Sequence, residues 1–239
     1  MRILVLGASG ATGKQVVRQL IKRQINTRIL IRKSAVLSKD ITDNALVEIV
    51  KGNINELNES EMNNLLHGCH VIISCLGHNP TLKGMFGKPY YLVFNTIKRI
   101  SETVKKREDK GIKLILMSTT GYTNNLAGEK NSIGEKIIHF LLKLMLPPHR
   151  DNIKAANYLI SNIGIENEFV GWVAVRPDTL VNHDEVSSYQ VCESPVRSPI
   201  FNAGKTSRIN VSNFMAELAT DNQVWENWKG KTPVVYNDK

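Results

Sequence analysis

The sequence predicts a doubly wound α/β domain with a mostly parallel sheet, and three observations carry that prediction. Short runs that are apolar throughout alternate with amphipathic helical segments, a glycine triplet leads from the first run into the first helix, and no internal repeat or low-complexity stretch breaks the pattern. Runs apolar on both sides suit strands covered on both faces, and the helices between them supply the right-handed crossovers that parallel strands need.

Taken in order, residues 3–6 predict a buried strand, and residues 11–23 a helix with Val16, Val17, Leu20 and Ile21 on one face. Further strands are expected at 27–31, 46–50, 71–75, 114–117 and 169–175, with helices at 59–66, 91–107, 134–146 and 150–161. From Asp178 onward Pro and Ser are scattered, with a short strand around Val191, a helix over 212–219 and a closing strand at 234–236. That tail is too small for a core of its own, so it is expected to cap the same domain. Trp225 and Trp228, three residues apart, read as packing residues against the cap.

The chain has 239 residues, 42% hydrophobic and 22% charged, enough to bury a core without a disulfide or metal staple. Cys69, Cys75 and Cys192 form no CxxC pair and are odd in number, which argues against a disulfide framework and a zinc site. No metal is therefore expected, and a reducing cytoplasm fits. The apolar start is too short for a signal peptide, and the most apolar later stretch, 133–146, is interrupted by Glu135, Lys136 and Lys143, so neither export nor a membrane partner is expected. The net charge is 31 − 22 = +9, and all of the excess lies in residues 1–110. A solvated basic face and a polyanionic small-molecule ligand both account for it. The densest basic run, Lys105-Lys106-Arg107, is followed by Glu108-Asp109, so nucleic acid is not expected.

The first strand runs into Gly7-Ala8-Ser9-Gly10-Ala11-Thr12-Gly13, glycines spaced G-x-x-G-x-x-G that open straight into a helix. Such glycines give a tight turn, let backbone N–H groups approach a phosphate, and allow close packing of helix on strand. The helix N-terminus then offers free N–H groups and a positive dipole end to a pyrophosphate. Dinucleotide binding is the expectation. The second strand ends in Arg32-Lys33-Ser34, with no acid before Asp40, where an NAD site would present a carboxylate to the ribose. A guanidinium there pairs with a 2′-phosphate, so NADP(H) is the expected cofactor.

These segments resemble the atypical short-chain dehydrogenase/reductases, in particular the compact NAD(P)H-binding group related to flavin reductase/biliverdin reductase B and to NmrA-like regulators. The resemblance rests on Gly7/Gly10/Gly13, Ile49-Val50-Lys51-Gly52-Asn53, Ile72-Ile73-Ser74-Cys75-Leu76-Gly77, Ile115-Leu116-Met117-Ser118-Thr119-Thr120-Gly121, Val175-Arg176-Pro177 and Ser207-Arg208-Ile209-Asn210-Val211-Ser212. It covers nearly the whole chain and implies a single Rossmann-type domain over 1–239, with 178–239 as the substrate-side cap. It further implies that Gly7, Ser9, Gly10, Ala11, Thr12 and Gly13 hold the pyrophosphate, that Asn53 and Ile54 border the adenine, and that Leu76 and Gly77 pass the ribose and pyrophosphate. Ser118, Thr119 and Pro177 would lie near the nicotinamide. Asn53 stands where these proteins commonly have Asp.

The wider superfamily reduces carbonyls with a Tyr-x-x-x-Lys pair, and none of the six tyrosines here is followed four residues later by Lys. Lys154 is the nearest match for the lysine, with Arg150 in the tyrosine's place. Candidate catalytic residues are thus Ser118, Tyr122 and Lys154, the last also a ligand for the nicotinamide ribose. His149 reads as a helix-start residue in solvent. The segment 78–90, with Pro80, Gly84, Gly87 and Pro89, reads as a loop over the strand ends, and Met85, Phe86, Tyr90 and Tyr91 give it an apolar face. The expected function is NADPH-dependent hydride transfer to a small apolar or aromatic acceptor, by a monomer or homodimer; the alternative is a non-catalytic NADP(H) sensor.

Overall fold

The computed structural model describes residues 1–78 and 81–238. In chain order the elements are β1 (Arg2–Leu6), α1 (Ala11–Lys22), β2 (Asn26–Ile31), α2 (Lys39–Thr42), β3 (Val47–Lys51), α3 (Glu59–Leu66), β4 (Val71–Ser74), α4 (Leu82–Phe86), α5 (Leu92–Lys106) and β5 (Ile112–Met117). There follow α6 (Ile133–Met145), α7 (Pro147–Tyr158), β6 (Val170–Pro177), β7 (Thr179–Val181), β8 (Tyr189–Cys192), β9 (Lys205–Ser207), α8 (Arg208–Thr220), α9 (Asn222–Trp228) and β10 (Val234–Asn237).

Eight strands form one sheet in the order β3-β2-β1-β4-β5-β6-β10-β8, all parallel except the edge strand β8, which runs antiparallel to β10. β7 and β9 pair separately. Both neighbours of β1 share its register, Ile3 lying opposite Thr27 on β2 and Val71 on β4, so the strand order reverses at β1. In such sheets the crevice beyond the carboxyl ends at the reversal is where ligands sit.

The period-two alternation of β1 divides the core. Ile3 and Val5 pack with Val16 and Leu20 of α1 and Phe214 and Met215 of α8. Leu4 and Leu6 point the other way, into Met62, Ile97 and Ala155 of α3, α5 and α7. Each of these β1 side chains is fully buried or nearly so, worth roughly 1.5–3 kcal/mol apiece.

The sequence-predicted elements are present, with shifted ends. The helix expected from Arg150 starts three residues earlier, because Pro147 and Pro148 occupy the first turn, where a missing N–H costs nothing. The late helix starts at Arg208 rather than Ser212, because the Ser207 side chain accepts from Asn210 N and caps it. The loop expected over 78–90 contains α4, while Pro80 lies outside the described residues. The region beyond Asp178 adds β10 and β8 to the main sheet and lays α8 across α1, so it completes the core as well as covering the sheet's end. Trp225 is buried in that core, and Trp228 meets Phe214 edge-on at 6.1 Å.

Candidate functional site

At the reversal point the strand ends and the segment after β4 enclose a cleft of about 310 Å³. Gly7, Ser9 and Gly10 form its floor. Gly7 has φ +76°, and a Cβ there would lie 2.7 Å from the carbonyl carbon of Cys75 and 2.9 Å from Leu76 N, so the turn must be glycine to pass the end of β4. A Cβ on Gly13 would overlap the Gly7 carbonyl, 2.7 Å from its carbon, which is the tight seating of α1 on β1. At Gly10 only the Gly7 oxygen, at 3.2 Å, is near; the rest is open. The N-termini of α3 and α6 are closed by capping boxes, Asn58 with Glu61 and Ser132 with Glu135. Gly10 gives α1 no capping side chain, and its first turn carries no acid. Its first N–H groups are left for an anion in the cleft.

The cleft's charged side chains point to the same class of ligand. Arg32, Lys88 and His78 line it, and no carboxylate does among the described residues. The first acid after β2, Asp40, is turned to Arg18 at 2.8 Å, and that guanidinium, with Ser38, holds its carboxyl down at about 2. Asn53, the expected adenine neighbour, donates from Nδ2 to Glu56 Oε1 at 2.7 Å while its Oδ1 accepts from Asn55 N, so its amide is oriented from behind. Cys75 also borders the cleft, but burial pushes its thiol up to about 12, which leaves it protonated and unreactive.

Of the residues expected at the cofactor, the cleft gathers Gly7, Ser9, Gly10, Arg32, Asn53, Ile54, Leu76 and Gly77. Ala11, Thr12 and Gly13 follow as the first turn of α1. Lys33 is exposed beside Arg32 but does not line the cleft. Ser118, Thr119 and Pro177 lie at the carboxyl ends of β5 and β6, further along the sheet. Ser118 Oγ is buried and has no hydrogen-bond partner among the described residues.

Two candidates lie elsewhere. Tyr122 is buried and borders a separate cavity of about 410 Å³ between the 120–131 and 194–199 segments. Burial pushes its phenol upward, so it stays protonated. Its carbonyl accepts from Arg176 Nη1 at 3.0 Å, and the same buried guanidinium grips Glu129 bidentately at 2.9 and 2.6 Å. Lys154 is exposed on α7, its Nζ 4.4 Å from the ring centre of Tyr91 and 4.2 Å from that of Phe94. That cation–π seat at the start of α5 holds it there, and it does not line the cleft.

His149 departs from expectation: it opens α7 but is not in solvent. α6 folds back beside it, so the ring stacks on His139 at 5.9 Å, Nε2 is buried without a partner among the described residues, and burial lowers its affinity for a proton.

The sequence reading missed a buried pair at the cleft wall. Asp151 is fully buried and accepts from Val93 N at 2.8 Å, Phe94 N at 2.9 Å and His78 Nε2 at 2.9 Å. It therefore caps α5 from another helix. His78 Nδ1 faces Gly84 O at 3.1 Å, so both ring nitrogens meet acceptors, and only the imidazolium donates to both. The Asp151 carboxylate accordingly raises the imidazole pKa. The local signal was the position of His78 directly after Gly77; Asp151, 73 residues away, gave none.

Comparison with known proteins agrees with this geometry. Among solved structures, the chain resembles a short-chain dehydrogenase/reductase from Veillonella parvula DSM 2008 in complex with NADP (TM-score 0.69, 15% identity, 99% of this chain and 94% of that one). It also resembles the oxidoreductase ylbE from Lactococcus lactis (0.69, 17%, 100% and 92%) and ChuY, an anaerobilin reductase from Escherichia coli O157:H7 (0.66, 16%, 100% and 98%). At these identities the likeness shows a shared fold. No curated protein sequence matches. A family model described as NAD(P)H-binding spans residues 7–222, from the first glycine of the turn almost to the end of the chain, and the protein belongs to that family.

Proposed function

We propose that the protein is an NADPH-dependent oxidoreductase that reduces a small apolar or aromatic acceptor. The observation that carries this reading is the cleft at the β1 reversal, floored by an uncapped glycine turn, edged by Arg32 and free of carboxylates among the described residues. Gly7, Ser9, Gly10 and the first turn of α1 would hold the pyrophosphate, Asn53 and Ile54 the adenine, and Arg32 the 2′-phosphate, with Lys33 adding charge nearby. Ser118, Thr119 and Pro177, at the ends of the next strands, would flank the nicotinamide, and Ser118 Oγ is a buried hydroxyl without a partner among the described residues. Bound there, the dinucleotide supplies a hydride.

The acceptor is read as flat and apolar because Phe86 and Tyr90, each about half exposed, stand on the segment that walls the cleft. With no Tyr-x-x-x-Lys pair, and with Lys154 committed to Tyr91 and Phe94, the chain has no ready counterpart of that proton relay. Water is then the proton source for an acceptor that does not need protonation in concert, and positioning does most of the work. The full chain is one domain in this reading, with residues 178–239 closing the substrate side. A non-catalytic NADP(H) sensor is the second reading, favoured by the placement of Tyr122 outside the cleft.

Turnover separates the two. Purified protein with NADPH and a panel of quinones, flavins and linear tetrapyrroles should oxidise the nucleotide at a rate that saturates with one acceptor. Binding of NADPH with no acceptor-dependent oxidation across the panel would leave the sensor.

A further inference from the structure

α6 is the least explained element of the fold. Ile133, Ile137, Phe140, Leu141, Leu144 and Met145 are 46–78% exposed, and at 100° per residue they fall within an arc of about 140° along a helix about 20 Å long. Phe201 extends the stripe, its ring against Gly134 and its outer face 64% exposed. Together they present on the order of 600 Å² of apolar surface, at or above the largest patch of a typical monomer. The opposite side of the helix is accounted for. Ser132 and Ser198 hold the buried Glu135, and His139 stacks on His149.

Along the chain that carries the stripe, the exposed charges are one-sided. Between residues 124 and 151 the bases Lys130, Lys136, Lys143 and Arg150 are all exposed. The three acids of that stretch all turn inward: Glu129 into Arg176, Glu135 under α6, and Asp151 against α5. Lys136 and Lys143 border the apolar arc along one edge. A second copy docked with its α6 antiparallel across a two-fold axis would bring that edge alongside its own lysines, and this stretch offers no exposed acid to meet them. A helix with one apolar face and a cationic border instead matches the interfacial zone of an anionic bilayer.

We propose that α6 seats the protein on an anionic lipid surface, its apolar stripe entering the headgroup boundary and Lys136 and Lys143 facing the headgroups. The helix is too short to cross, and no described helix is long and apolar enough to do so, so the contact is peripheral. This inference is independent of the redox reading, since it uses no residue of the cleft.

Cosedimentation of the full chain with vesicles tests it, comparing phosphatidylcholine alone with phosphatidylcholine containing phosphatidylglycerol. Binding should be at least about tenfold stronger to the anionic vesicles and should weaken several-fold as salt screens the lysines. The double variant Ile137→Glu/Leu144→Glu should lose that binding with an unchanged thermal melt, and Lys136→Glu/Lys143→Glu, which keeps the stripe, should lose its preference for the anionic vesicles. Equal binding to both kinds of vesicle overturns the proposal, as does no binding to either. A dimer in light scattering that Ile137→Glu/Leu144→Glu dissolves, with no vesicle binding, would assign the stripe to a second copy and likewise overturn it.

Discussion

Replacing Asp151 by alanine removes three interactions at once: the cap on Val93 N and Phe94 N, and the partner of the His78 imidazolium. A lost cap costs about 0.5–2 kcal/mol, and breaking a buried ion pair from one side costs about 3–5 kcal/mol because the other charge is stranded. The pair contribution depends on pH with a defined sign. The folded-state pKa of His78 is raised, so its stabilisation is fully present below the ordinary histidine value of about 6.5 and is lost as pH rises through the higher folded value. Asp151→Ala should therefore destabilise the fold by about 3–5 kcal/mol near pH 6 and by less near pH 9, where the cap, about 0.5–2 kcal/mol, makes up more of the loss. Urea unfolding followed by circular dichroism at both pH values measures this. A loss below about 1 kcal/mol at pH 6, or the same loss at both pH values, would refute the assignment of a charged His78 to the cleft wall.

Two glycines of the turn should part company. Gly10→Val adds atoms toward open space and should abolish nucleotide binding with the fold intact, whereas Gly13→Val drives a Cβ into the Gly7 carbonyl and should unfold or strongly destabilise the chain; calorimetric titration and thermal melts of the two proteins check this. If turnover is found, Tyr122→Phe should lower it by less than about threefold, because its phenol lies in another cavity; a general acid would cost about 10²–10⁴-fold.

How much was legible in the sequence follows from how local each signal is. The glycine turn, the apolar strands and the cationic end of β2 are local patterns, and the structure gathers Gly7, Gly10, Arg32, Asn53 and Gly77 in one cleft. α4 and α9 are short and carry too few periodic positions to be recognised. Asp151 was hidden because its function is set by packing: it lies on α7 and satisfies α5. Lys154 could be matched to a family position by spacing, yet the aromatic pair that holds it, Tyr91 and Phe94, sits about 60 residues upstream. His149 was read as exposed because nothing in its neighbourhood shows that α6 packs against it.

The central claim is that the cleft prefers NADPH because Arg32 replaces the acid that would read an unphosphorylated ribose. The direct measurement is calorimetric titration of NADPH and NADH against the wild-type chain and Arg32→Ala. A charge-assisted contact to phosphate contributes about 1.5–3 kcal/mol, so NADPH should bind roughly ten- to a hundredfold more tightly than NADH, less so as salt rises. Arg32→Ala should erase about that factor for NADPH and leave NADH nearly unchanged. Equal wild-type affinities for the two nucleotides, or equal losses in the variant, would contradict the account.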